Sequence, residues 1–127
     1  MPVNLNHVLL SCCTILLMPL SALAAELPEE LSGRWTWAER GISQPFELED
    51  IKPKGEDGFV AELTWWTIKG ECVIRGEPVE GSYKEGVLSF SAETKCGSRF
   101  DASMKRQGDE WVGSATAGKV TVEMKAD

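Results

Sequence analysis

From Leu31 onward the chain alternates apolar and polar residues, with turn residues recurring about every ten positions. That period of two limits what the chain can fold into, because it gives each strand one apolar face and one wet face. Phe59, Ala61, Leu63 and Trp65 alternate with Val60, Glu62, Thr64 and Trp66, and Leu88, Phe90 and Ala92 alternate with Ser89, Ser91 and Glu93. Phe100, Ala102 and Met104 repeat the pattern, followed by Trp111, Gly113 and Ala115, then by Val120, Val122 and Met124. The links Lys84-Glu85-Gly86, Gln107-Gly108-Asp109-Glu110 and Ala117-Gly118-Lys119 are short enough for hairpins. In the first half a strand is expected near Phe46 to Ile51, then a charged loop from Lys52 to Gly58. Further strands are expected from Cys72 to Arg75 and from Glu80 to Lys84, separated by a break at Gly76-Glu77-Pro78. The sequence predicts an all-β, antiparallel up-and-down meander of about eight strands. Closure into a barrel buries one face and removes the edges, and the small residues among the large inward ones suit a tapered interior. A β-sandwich is the competing architecture, but it needs longer crossovers.

The first 24 residues contain no Asp, Glu, Lys or Arg, and the apolar run Val8 to Leu20 ends at the small-x-small site Ala22-Leu23-Ala24. This reads as a signal peptide, residues 1–24, followed by a short N-terminal segment, 25–32, holding at most one helical turn, and a barrel domain, 33–127. The expected location is the periplasm or the extracellular space. An uncleaved anchor is the alternative, since Val8 to Ala25 approaches the length of a spanning helix. A lipobox is a poorer match, because Leu9-Leu10-Ser11-Cys12 lies in the middle of the apolar run.

All 13 basic and 20 acidic residues follow that leader, so the net charge of −7 belongs to the domain. An acidic domain argues against nucleic acid, and against a membrane once the leader is removed, because both demand a basic surface. Two of the four cysteines lie in the leader, and the remaining pair, Cys72 and Cys96, is expected to form one disulfide in an oxidising compartment.

The opening Glu30-Leu31-Ser32-Gly33-Arg34-Trp35 resembles the start of the first strand in the calycin superfamily, whose members include lipocalins, avidins and small bacterial inhibitors of secreted metalloproteases. Gly33 and Trp35 carry this G-x-W likeness. The resemblance implies an up-and-down barrel, with Trp35 packed across its closed end. Gly81-Ser82-Tyr83 is reminiscent of a later avidin strand, whereas the polar ligand-binding set of avidins and the later lipocalin motifs have no counterpart here. The inhibitors place their first cysteine soon after the motif, while here the first after it is Cys72.

The single histidine, His7, lies in the leader, which removes Ser-His-Asp and Cys-His catalysis and histidine zinc sites from the domain. With Cys72 and Cys96 joined, no thiolate nucleophile is left. Glu47 and Glu49 share a strand face and could in principle serve glycoside hydrolysis, but their alternation with Phe46 and Leu48 turns them to solvent, where nothing would raise their pKa. Glu56-Asp57 and Asp109-Glu110 follow no calcium-loop pattern and read as turns. No glycine-rich phosphate loop is present. The expected protein is therefore not an enzyme, needs no cofactor or metal, and works by binding.

Two binding modes are open. A protein-interaction or inhibitor-type module would use the outward stripe Val60, Trp66 and Ile68, together with Lys52 and Lys54 of the charged loop. The opposite register would expose Trp65 in place of Trp66. The N-terminal segment is the alternative cover for that stripe. In the second mode a small apolar ligand enters the barrel mouth near Trp37, Leu63 and Phe90. A filled narrow interior favours the first mode, and a void approaching about 300 Å³ favours the second.

Overall fold

A computed structural model describes residues 27–127; the expected leader, with His7, Cys12 and Cys13, lies outside the described residues. Eight antiparallel strands follow one another around a closed barrel: β1 (Leu31–Trp37), β2 (Ile42–Lys54), β3 (Gly58–Trp65), β4 (Ile74–Lys84), β5 (Val87–Glu93), β6 (Arg99–Gln107), β7 (Glu110–Ala117) and β8 (Val120–Ala126). β1 pairs with β8 to close the ring, from Gly33↔Ala126 to Thr36↔Glu123. The up-and-down meander is thus observed, with no crossover connection. Among the described residues no helix is long and apolar enough to cross a membrane.

The alternation puts the expected residues inside. Phe46, Leu48, Phe59, Leu63, Leu88, Phe90, Phe100, Met104, Trp111 and Met124 are buried in one continuous core. Gly33 is demanded by the closure, because a Cβ there would stand 1.9 Å from the Lys125 carbonyl oxygen of β8. The first strand starts at Leu31, two residues before that glycine, and Leu27 packs on the core while the Glu29 carbonyl accepts the Ile51 N–H at 3.0 Å. The described part of the N-terminal segment is therefore extended, without a helical turn.

Two strands are longer than the sequence predicts, and bulges explain both. β2 runs on through Pro53 and Lys54, so the expected Lys52 to Gly58 loop shrinks to the turn Gly55–Asp57. The β2–β3 register shifts between Glu49 and Lys52, where Asp50 adopts a φ of 51°, and the extra residue returns Ile51 to the core. β4 passes without interruption through Gly76-Glu77-Pro78, because Gly76 at φ 57° absorbs a second shift opposite Thr64. Cys72 lies before that strand, in a short 3-10 turn.

Candidate functional site at the open end of the barrel

The connections β1–β2, β3–β4, β5–β6 and β7–β8 lie at one end of an up-and-down barrel, and the remaining connections lie at the other, with residues 27–30 and Asp127. That second end is filled. Leu31, Ile51, Leu88, Met104, Trp111 and Met124 are buried there or in the middle, and Tyr83 tilts against Trp111 with ring centroids 6.2 Å apart.

The first end is hollow. A cavity of about 470 Å³ opens there, lined on one side by Trp35, Trp37, Trp65 and Phe100. The facing wall is built from small side chains, Ala115 and Ala117 of β7 with Val120 and Val122 of β8. The void is a consequence of that pairing: bulky aromatics on β1, β3 and β6 meet a wall with too little volume to fill the space between. Trp65 lies between two other rings, 5.8 Å from Trp35 and nearly parallel to it, and 4.4 Å from Phe100. Together these rings pack into an apolar floor.

The rim comes from two loops. The β3–β4 connection contributes Thr67, Ile68, Lys69 and Glu71, and the β5–β6 connection contributes Thr94 and Ser98. Cys72 and Cys96 join the two loops as a disulfide with a Cα–Cα distance of 5.0 Å. Its position has a structural reason. Backbone pairing between β4 and β5 stops at Gly81↔Phe90, leaving Ile74 to Glu80 of β4 without pairing to Ser91 to Glu93 of β5. The barrel wall therefore has a seam toward the open end, bridged by the disulfide and by the ion pair of Lys95 with Glu77, 2.6 Å apart.

The predicted ligand residues divide. Trp37 lines the cavity, whereas Leu63 and Phe90 are buried in the core and are not part of its lining. Trp35 has a different task from the one the calycin likeness implies: instead of crossing the closed end it floors the open one, with its Nε1–H donating to the Trp66 carbonyl at 2.9 Å. Sequence reasoning missed Phe100, Ala115, Ala117, Val120 and Val122 as wall residues. Their inward alternation was visible, but their height along the barrel depends on cross-strand register.

The predicted partner surface divides as well. Trp65 is 5% exposed and Trp66 37%, so the register is the one that points Trp66 outward. Val60 is half-buried on the outer face of β3 between Lys52 and Glu80, and Ile68, 59% exposed, sits on the cavity rim. They do not form one stripe. Trp66 is partly covered by the Arg75 guanidinium, 5.0 Å from its ring centroid. Lys52 and Lys54 belong to β2 rather than to a free loop, and Lys54 pairs with Glu80.

Glu47 and Glu49 lie on the outer face of β2, away from the cavity. Contrary to expectation, the Glu49 carboxyl is held above its ordinary pKa, chiefly by a hydrogen bond and charge repulsion from Glu47, with smaller contributions from desolvation, Asp50 and Glu30. The cause is mutual crowding of like charges at the surface, not burial in a cleft. Comparison of the chain with known protein families and with curated proteins finds no match.

Proposed function

We propose that this protein is an exported, non-catalytic carrier or scavenger that holds a small, flat, largely apolar molecule in the open end of its barrel. The observation that carries the reading is the cavity of about 470 Å³ with an aromatic floor, a volume within the range of small-molecule sites, roughly 300–1,000 Å³. A cavity lined mainly by apolar side chains in water gains free energy when a ligand of matching shape displaces its solvent. The packed rings of Trp35, Trp65 and Phe100 supply an apolar contact surface, and Thr67, Thr94 and Ser98 supply hydroxyls at the rim to orient a polar end. Export fits the disulfide, which bridges the seam beside the cavity and persists in oxidising compartments.

Mass spectrometry under native conditions, on protein purified from its own host, tests the proposal. It should find a fraction of molecules carrying one small adduct, which dissociates on unfolding. Absence of any adduct, together with stoichiometric recovery of a second protein, would instead support an interaction module. The one feature favouring that second reading is the exposed pair Trp66 and Ile68 beside the rim.

A further inference from the structure

The charges of this acidic protein are not spread evenly along the barrel axis. The connections at the open end, residues 38–41, 66–73, 94–98 and 118–119, carry four cations, Arg40, Lys69, Lys95 and Lys119, against two anions, Glu39 and Glu71. The opposite end, comprising residues 27–30, 55–57, 85–86, 108–109 and 127, carries seven acidic residues and no basic one. A chain of net charge −7 thus presents a locally basic rim around this apolar cavity, the reverse of what its overall composition would put there.

The four cations are not equivalent. Arg40 lies over the Trp37 ring, 5.0 Å from its centroid, and Lys95 is engaged by Glu77. Lys69 and Lys119 form no ion pair among the described residues. Lys69 lines the cavity, and Lys119 adjoins Val120, which lines it too. An ammonium at the edge of a low-dielectric pocket attracts an anion more strongly than the same group on open surface, and the acidic opposite end leaves the mouth as the electrostatically preferred approach. Glu71 on the same rim tempers that attraction without cancelling it.

We infer that the ligand is an amphipathic anion, an aromatic or fused-ring body seated on the aromatic floor with a carboxylate, sulfate or sulfonate drawn to the rim by Lys69 and Lys119. The inference rests on the cavity reading and adds to it the charge of the occupant. Neutral rings of the same shape would use only the floor.

Two fluorescent probes separate the two ideas, because anilinonaphthalene sulfonate and N-phenylnaphthylamine share one ring system and differ by the sulfonate. Both are titrated into the disulfide-intact protein and into the double variant Lys69→Gln/Lys119→Gln, with circular dichroism confirming that the variant is folded. At low salt the double variant should bind the sulfonate about tenfold more weakly, as expected for two rim charge contacts, and lose far less affinity for the neutral probe. Added salt should weaken the sulfonate in the wild type and leave the variant nearly insensitive. Equal losses for the two probes, or no loss for the sulfonate, would overturn the anion inference while leaving the cavity reading intact. If neither probe binds the wild type saturably, the cavity reading itself fails and the inference falls with it.

Discussion

The indole N–H of Trp35 donates to the backbone carbonyl of Trp66 at 2.9 Å, across 31 residues of sequence. One end of that bond is the cavity floor and the other begins the β3–β4 rim loop, so a single hydrogen bond fixes the depth of the site relative to its mouth. Trp66 is anchored on the β2 side as well, where its N–H donates to the Pro45 carbonyl at 3.1 Å.

Trp35→Phe keeps an aromatic floor but leaves the Trp66 carbonyl without its donor and removes part of the ring stacked on Trp65. The expected loss is about 2 kcal/mol, from the hydrogen bond and the missing ring volume. Urea denaturation should show a lower midpoint with an unchanged slope. An unaltered midpoint would mean the bond contributes nothing to the fold.

Reduction of the disulfide, or the double replacement Cys72→Ala/Cys96→Ala, releases a loop closed over a sequence separation of 24. Chain entropy alone puts the loss at about 3 kcal/mol. Because the bridge spans the seam where β4 and β5 are unpaired, the effect should also be local. Amide hydrogen exchange should accelerate first at 66–80 and 91–98, before the β6–β8 strands. Uniform acceleration would contradict the seam.

Gly33→Ala forces a methyl group into the Lys125 carbonyl of β8, a backbone neighbour that cannot rotate away. The closing pair β1–β8 must shift or part, and a loss of at least about 2 kcal/mol is expected. Faster proteolysis within 120–127 would locate the damage.

Glu49 gives a pH dependence of predictable sign. Its native pKa lies above that of the unfolded chain, so the native state holds the proton more firmly. The contribution to stability is fully present below the unfolded pKa and is lost as pH rises through the native one. Glu49→Gln should therefore raise the thermal midpoint slightly at about pH 7, with the difference shrinking toward about pH 3 as wild-type Glu49 is protonated. A variant less stable than wild type at neutral pH would contradict the crowding.

The barrel was readable in the sequence because inside and outside alternate strictly in β5 to β8, where short turns leave little freedom in pairing. β2 and β4 were harder. Bulges at Asp50 and Gly76 reset the alternation, and Pro53 and Pro78 each remove a donor without ending pairing, so a strand looked like a loop and a break. The pair Cys72 and Cys96 pointed to a disulfide, but the unpaired seam it bridges is a property of the β4–β5 register. The cavity was only half visible: Trp37 lines it, Leu63 and Phe90 do not, and the smallness of Ala115 and Ala117 acquires meaning only opposite Trp35 and Trp65. Adjacent tryptophans fix no face by themselves, and the structure puts Trp65 in the core and Trp66 outside it.

The most direct test of the central claim is to fill the cavity from its small-residue wall. Ala117 is half-buried near the end of β7 and lines the cavity, so Ala117→Trp places an indole in the space a ligand would use while leaving the barrel ladder intact. N-phenylnaphthylamine should quench wild-type tryptophan fluorescence saturably at one molecule per chain, and Ala117→Trp should weaken that binding by at least about tenfold, since most of the buried contact is lost. Undiminished binding to the filled variant, or no saturable binding to the wild type, would contradict a ligand site at the open end.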